Sequence, residues 1–179
     1  MSLHSMRIAL ILLCVTVFSN CGYHPGAGPL SPTAFGTVAV PIFVNESSEP
    51  NIQTVITRAV IREFNRAGVL VVEKPRADKI LEGRIVGYSN GSVSRTAAST
   101  VSEYRLSVIV QLTLKNREGK ILFRHPSAQL REEYFASSIL EQNEQAEAKA
   151  LKSGAVDFAE DVVRHLLDQV NEGLSNENL

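Results

Sequence analysis

The sequence has little of what marks a disulfide scaffold, a nucleic-acid-binding protein or a protein with several membrane-spanning helices. Only two of its 179 residues are cysteine. Its 18 Lys and Arg nearly balance 19 Asp and Glu, for a formal net charge of −1, so no global attraction to nucleic acid is expected. After one N-terminal apolar run, no second run approaches the roughly 20 residues that a membrane-spanning helix requires.

Recognisable catalytic motifs are also missing. There is no Gly-x-Ser-x-Gly, no Walker loop and no His-Glu-x-x-His. Beyond the first 20 residues the histidines are His24, His125 and His165, which lie far apart and lack the spacing of metal ligands. His165 has apolar helical neighbours and is interpreted as a flanking residue. The sequence therefore predicts no enzyme, no cofactor and no metal site.

What is present begins with an N-terminal export signal. A single cation, Arg7, precedes an apolar run of 11 residues at 8–18 that only Thr16 interrupts. This run is too short to span a bilayer and is typical of a signal peptide. Ser19 and Asn20 follow, and then Cys21. This layout predicts that cleavage after residue 20 leaves Cys21 as the lipidated N-terminus of a bacterial lipoprotein. The alternative is an ordinary secretory leader with an incidental cysteine.

Cleavage at that point defines a lipid-anchored mature chain. Removing Cys14 and acylating Cys21 leaves no thiol for a disulfide, and two or more acyl chains suffice for stable anchoring. Gly22, rather than Asp, after the cysteine favours the outer membrane. The loss of Arg7 leaves 17 Lys and Arg against 19 Asp and Glu, a net charge of −2. Residues 21–36 are rich in Gly and Pro and predict a flexible lipidated tether.

Residues 37–171 have the length of a single domain. The apolar run 37–44 predicts a short strand, in which Pro41 indicates an edge or a bulge because proline donates no ladder hydrogen bond. A helix is predicted at about 51–67 because apolar residues recur there at helical spacing, and Gly68 is a natural stop. The cations on the solvated side of this helix are Arg58, Arg62 and Arg66.

The middle of the domain predicts a mostly antiparallel sheet. Alternation of apolar and polar residues over 103–115 predicts a strand with one covered and one wetter face, and 116–119 predicts a hairpin turn. Gly83 and Gly87 indicate bulges or close packing. Residues 90–102 are either a flexible loop or a polar extension of the flanking strands. The other strands are predicted at 69–72, 79–88, 120–125 and 127–135, with Pro126 interrupting the last two.

A long amphipathic helix at about 143–170 closes the domain. Asn143 is in position to cap it, and Glu144 and Glu147 would meet the positive end of its dipole. The polar residues 172–179 predict a disordered tail. Because two amphipathic helices can cover one sheet face, the predicted fold class is α+β. It is a two-layer sandwich with both helices on one face of a mixed, mostly antiparallel sheet of four to five strands, and the other face is left available to a partner.

Four short motifs, in their order and spacing, are similar to those of a known family. They are Cys21-Gly22-Tyr23-His24, Val38-Ala39-Val40-Pro41-Ile42-Phe43, Glu103-Tyr104 and Asn143-Glu144-Gln145. With these motifs the chain resembles the LPS-assembly lipoprotein family LptE over most of its length. The resemblance implies an outer-membrane lipoprotein that partners and plugs the large β-barrel LptD and supports its assembly. Together the two would move lipopolysaccharide to the outer leaflet, with this domain on the periplasmic side or inside the barrel lumen.

The resemblance also implies that lipopolysaccharide binds through basic side chains at one end of the sheet. Arg95 matches one such cation, whereas Glu141 and Gln142 stand where a second cation is expected. Cations suit this role because they make charge-assisted hydrogen bonds to phosphates. Further candidates on the hairpin are Lys115, Arg117 and Lys120. The alternative is that the hairpin cations are simply solvated and discourage edge pairing.

Two other functions remain open on the sequence alone. A lipid-tethered periplasmic regulator of a cell-wall synthase would also consist of a small α/β domain on an anchor. Crosslinks to a synthase domain, rather than to a barrel, would identify it. An unrecognised hydrolase is the third alternative, which an activity screen would test.

Overall fold

The sheet and the helices follow one another in the order strand, strand, helix, three strands, helix. The computed structural model describes residues 35–94, 101–137 and 139–176. The strands are β1 (Val38–Ala39), β2 (Val44–Asn45), β3 (Lys79–Ser94), β4 (Val101–Asn116) and β5 (Ile121–Ser137), and the helices are α1 (Ile52–Arg66) and α2 (Leu140–Asn176). A single 3₁₀ turn, Lys74–Arg76, precedes β3. No helix in these ranges is both long and apolar enough to cross a bilayer.

The five strands form one mixed sheet in the order β1-β3-β4-β5, with β2 also paired to β3. β1 and β2 run parallel to β3, while β3, β4 and β5 are antiparallel neighbours. Both helices pack on one face of this sheet, so the predicted α+β fold class is confirmed. The large buried side chains of the core come from both layers: Phe35, Phe43, Ile56, Phe64, Leu81, Ile85, Leu112, Phe158 and Leu166.

β4 has the alternation that its sequence predicts. Its inward side chains are almost fully buried, and they are Leu106, Val108, Val110, Leu112 and Leu114. Arg105 and Gln111, on the opposite face, are exposed. Because side chains alternate across a strand, this one segment fixes which face of the sheet meets the helices and which face stays open.

α1 buries the stripe that its period predicts. Ile52, Ile56 and Phe64 are at most 1% exposed. Thr57 is also fully buried, and its hydroxyl accepts a hydrogen bond from the Phe43 backbone N–H at 3.0 Å. After the helix, Gly68 has φ 79°, a left-handed conformation that glycine adopts without strain.

The first edge of the sheet differs from the prediction. The strand expected at 37–44 is two short pieces, because Pro41 lies between them and the Phe43 side chain turns into the core. The strand expected at 69–72 is wrong, since only one parallel bridge, Val38 to Val71, forms there. Short apolar runs carry no period that separates a strand from a buried connection.

The three long strands extend beyond their predicted boundaries. β3 continues to Ser94 and β4 begins at Val101, which favours the polar-extension interpretation for the described part of 90–102. β5 runs through Pro126 by means of a register shift at which Val110 pairs with Ala128 and Leu112 with His125. The expected interruption is therefore a bulge. At a bulge the ladder hydrogen bonds are locally interrupted, so Pro126, which has no N–H, need not donate one.

α2 begins at Leu140, so the predicted cap at Asn143 is wrong. The Asn143 N–H already donates to the Ile139 carbonyl at 3.2 Å, inside the first turn. The acidic residue of that turn is Glu141, rather than Glu144 or Glu147. The helix also runs to Asn176, beyond the predicted end at residue 170.

Candidate binding surface

The sheet face that the helices leave uncovered is polar and exposed to solvent. Three cross-strand or strand-to-loop ion pairs lie on it: Arg84 with Glu46 at 2.5 Å, Lys115 with Glu82 at 2.6 Å and Arg105 with Glu133 at 2.6 Å. All six side chains are between one-third and about one-half exposed. Exposed pairs of this kind contribute about 0–1 kcal/mol, so they shape the charge of the open face more than the stability of the fold.

At one end of this sheet, which we call the hairpin end, lie the β4–β5 turn and the start of β3. The Arg117 guanidinium donates to the Ala77 carbonyl at 3.2 and 3.3 Å and lies 3.5 Å from a carboxylate oxygen of Asp78. The exposed Lys120 uses its backbone N–H in the turn, where it donates to Asn116 Oδ1 at 2.8 Å. Among the three hairpin candidates, Lys115 and Arg117 thus already have protein partners.

Asp78 and Lys79 connect the hairpin end to the start of the domain. The Asp78 carboxylate accepts hydrogen bonds from the Thr37 N–H at 2.9 Å and from its hydroxyl at 2.8 Å. These bonds, followed by the charges of Arg117 and Lys79, hold the pKa of Asp78 below its usual value. The Lys79 ammonium donates to the Phe35 carbonyl at 2.6 Å and lies 4.8 Å from the Phe35 ring centroid. Burial lowers the pKa of Lys79.

The hairpin cations lie far from the end of β3 that precedes Arg95 in the sequence. Arg95 and Cys21 lie outside the described residues, and both assignments stay predictions. Ser94, the residue before Arg95, ends β3, whereas Lys79 begins it at the hairpin end. At about 3.3 Å per residue, a strand of this length separates its ends by roughly 50 Å. Contacts from the hairpin cations and from the neighbourhood of Ser94 would therefore belong to two different sites.

The far end of the sheet, opposite the hairpin, carries a polar cluster beneath the first turns of α2. The Tyr88 hydroxyl donates to the Glu147 carboxylate, and Asn90 Nδ2 donates to the Tyr134 hydroxyl at 2.7 Å. Burial first, and then the bond to Glu147, raises the pKa of Tyr88, and burial also raises the pKa of Tyr134. The Tyr134 ring stacks on Tyr104 with centroids 5.7 Å apart.

Asn90 Oδ1 in this cluster and Asn143 Oδ1 on α2 are buried oxygens with no hydrogen-bond partner among the described residues. Asn90 Oδ1 and the Glu147 carboxylate are hydrogen-bond acceptors, so a phosphate that binds at this end of the sheet would lie outside the cluster. No local sequence pattern indicates this cluster, because Tyr88 and Glu147 are 59 residues apart and Asn90 and Tyr134 are 44 residues apart.

The surface around the far end also exposes large apolar side chains from three elements. They are Val93 (45% exposed), Phe135 (71%), Ile139 (54%) and Leu140 (72%). Large apolar side chains that are this exposed are candidates for contact with a protein or a lipid. The far end therefore combines apolar surface with the strand end that leads to Arg95.

The two described histidines line the same cavity although they are far apart in sequence. His125 on β5 and His165 on α2 line the same cavity of about 110 Å³, together with Asp161. His125 Nδ1 accepts a hydrogen bond from the Ser127 N–H at 3.3 Å, and Asp161 pairs with Arg164 at 2.6 Å. In the described parts of the chain, no group of three or more His, Cys, Asp or Glu side chains is arranged to hold a metal.

A two-layer α+β domain with one polar, uncovered sheet face is the class of protein that these observations define. The family model LptE, lipopolysaccharide-assembly, matches residues 35–166. The chain belongs to this family. No curated protein sequence matches the chain.

Solved structures share the fold at low sequence identity. A hypothetical protein from Chlamydia trachomatis has a TM-score of 0.54 at 10% identity, over 75% of this chain and 97% of that one. A protein from Xanthomonas campestris has 0.53 at 11%, over 80% and 89%. A minor lipoprotein from Acinetobacter baumannii has 0.50 at 12%, over 75% and 94%. At these identities the likeness concerns the fold alone.

Proposed function

We propose that this protein is an outer-membrane lipoprotein, acylated at Cys21, that partners an LptD-like β-barrel. It would occupy the barrel lumen, support barrel assembly and take part in moving lipopolysaccharide to the outer leaflet. The observation that carries the proposal is the LptE family match, which spans residues 35–166 and so nearly the whole described domain. The role is structural and ligand-binding, without catalysis.

The open face of the sheet supports a place inside a barrel. The interior of an outer-membrane barrel is polar and its outer surface is apolar. The open face carries the ion pairs Arg84–Glu46, Lys115–Glu82 and Arg105–Glu133. Such a charged face is suited to contact with the polar inner wall of a barrel, whereas its burial against lipid would cost free energy. The helices on the other face keep the apolar core closed without any partner.

Mild-detergent purification from envelopes tests this function. Mass spectrometry should find a β-barrel of much larger mass in stoichiometric amount, and a mature N-terminus at an acylated Cys21. Depletion of the lipoprotein should reduce the amount of mature barrel, and Cys21→Ala should release the domain from the membrane. Recovery of the protein alone, or with a periplasmic synthase domain in place of a barrel, would contradict the proposal.

Lipopolysaccharide contact is proposed at the far end, through Arg95. The separation of the two sheet ends makes this testable with paired variants. Arg95→Glu should weaken lipopolysaccharide capture by the purified domain and leave its thermal melt unchanged. Lys120→Glu, an equal charge reversal at the hairpin end, should leave capture unchanged. The opposite result would move the site to the hairpin cations Lys115, Arg117 and Lys120.

A further inference from the structure

A cleft lies where the first edge of the sheet is interrupted, on the side of the open face. We call it the edge cleft; it has a volume of about 330 Å³, and its lining includes Pro41, Ile42, Val44, Lys74, Glu82, Arg84, Gln111 and Thr113. This volume is at the lower limit of the roughly 300–1,000 Å³ that is typical of ligand pockets. It suits a few side chains better than the acyl chains of a lipid.

The interruption of the edge leaves apolar surface at the cleft. β1 ends at Ala39 and β2 begins at Val44, with Pro41 between them, which lacks a ladder donor. Phe43 turns into the core and is only 2% exposed, whereas Ile42 and Val44 are 58% and 54% exposed. Two large aliphatic side chains are thus exposed side by side on the rim of a concave surface, an arrangement typical of a contact site.

The charges around the edge cleft leave one cation without a counter-ion. Glu82 pairs with Lys115 at 2.6 Å, and Arg84 pairs with Glu46 at 2.5 Å. Lys74 is exposed and has no ion-pair partner within the described ranges. A carboxylate on an occupant would therefore complement the cleft.

We propose that the edge cleft seats a polypeptide segment of the barrel partner, with an apolar side chain against Ile42 and Val44 and an acidic side chain on Lys74. The inference rests on the proposed function, which supplies the barrel. Gln111 and Thr113, which also line the cleft, offer hydrogen-bonding side chains to the segment. The edge cleft is thereby a docking point for the barrel, separate from both ends of the sheet.

Site-specific photo-crosslinking in the intact lipoprotein–barrel complex tests the docking. A photo-reactive amino acid in place of Ile42 should crosslink to one segment of the barrel, with an Asp or Glu within a few residues of the attachment point. Lys74→Glu should reduce this crosslink by roughly threefold or more, as expected for loss of one ion pair at an interface rim. Arg76→Glu, on the same 3₁₀ turn but outside the cleft lining, is the matched control and should not reduce it.

Each outcome decides the question. Crosslinks to lipopolysaccharide, crosslinks scattered over many barrel segments, or equal effects of the two charge reversals would overturn the edge-cleft proposal while the barrel still co-purifies. Absence of a barrel from the wild-type purification would overturn the proposed function, and the docking site with it. Thermal melts of the Lys74 and Arg76 variants, which should match the wild type, separate lost docking from lost folding.

Discussion

The ring of Phe43 lies directly over Gly83. A Cβ atom at position 83 would be 2.5 Å from three atoms of that ring, which is shorter than any unstrained carbon contact. The close approach lets the Phe43 side chain enter the core from an edge strand that Pro41 has interrupted. It therefore creates both the closed core on one side and the edge cleft on the other.

Gly83→Ala is expected to destabilise the domain. The added methyl group forces Phe43 out of its position, and overpacking of this kind costs about 1–3 kcal/mol. Urea unfolding followed by circular dichroism measures the loss. Gly91→Ala is the matched control in the same strand, because a Cβ there has no heavy atom within 4 Å and should change little. Equal stabilities for the two variants would show that the contact with Phe43 is not tight.

Thr57→Val should also destabilise the fold, although it keeps the shape of a buried side chain. The hydroxyl of Thr57 accepts the Phe43 N–H at 3.0 Å in a fully buried position. Its loss leaves that N–H without a partner, at a cost of about 1–3 kcal/mol. Thr57→Ser keeps the acceptor and should lose less. If Val is tolerated better than Ser in urea unfolding, packing rather than hydrogen bonding dominates at this position.

Tyr88 should make the domain sensitive to alkaline pH. Burial and the bond to Glu147 raise the pKa of Tyr88 above its ordinary value of 10.0. A group that binds its proton more tightly when folded contributes stability that is full below pH 10.0 and is lost as the pH rises from there. Tyr88→Phe should flatten the alkaline limb of a stability–pH profile.

Glu147→Gln isolates the part of the Tyr88 pKa shift that comes from the carboxylate charge. The amide keeps a hydrogen-bond acceptor for Tyr88 but removes the carboxylate charge, so the pKa of Tyr88 should fall part of the way while burial still raises it. Tyrosinate absorbance during a pH titration is the measurement. A titration curve that is identical in the wild type and in Glu147→Gln would mean that the charge has no part in the shift.

Asp78 should affect the stability of the domain at acidic pH. The two bonds from Thr37 lower the pKa of Asp78 below its ordinary value of 3.8. The stability that they contribute is present above pH 3.8 and is lost as the pH falls through the folded value. Asp78→Asn should therefore reduce stability at neutral pH and weaken its dependence on pH below 4. An unchanged acid limb in this variant would assign acid unfolding to other carboxylates.

Where the sequence predicts the fold well, the information is local. The alternation over 103–115 identified β4 and its buried face, and the spacing of Ile52, Ile56 and Phe64 identified α1. Both follow from the period of the element itself. The strand at 69–72 and the cap at Asn143 were wrong because neither depends on a period. The helix begins earlier, since Glu141 and Gln142 have good helix propensity.

The sequence by itself determined the fold class, the family resemblance and the face of the sheet that would be buried, because side-chain periodicity and motif order are properties of the chain. Only the tertiary structure decided which distant residues meet. It placed Phe43 over Gly83 and bonded Tyr88 to Glu147. It left Lys74 beside the edge cleft without an ion-pair partner among the described residues, whereas Lys115 and Arg117 have partners. It also set the hairpin cations at the opposite end of the sheet from Ser94. Such pairings depend on strand register and helix packing, which no local period encodes.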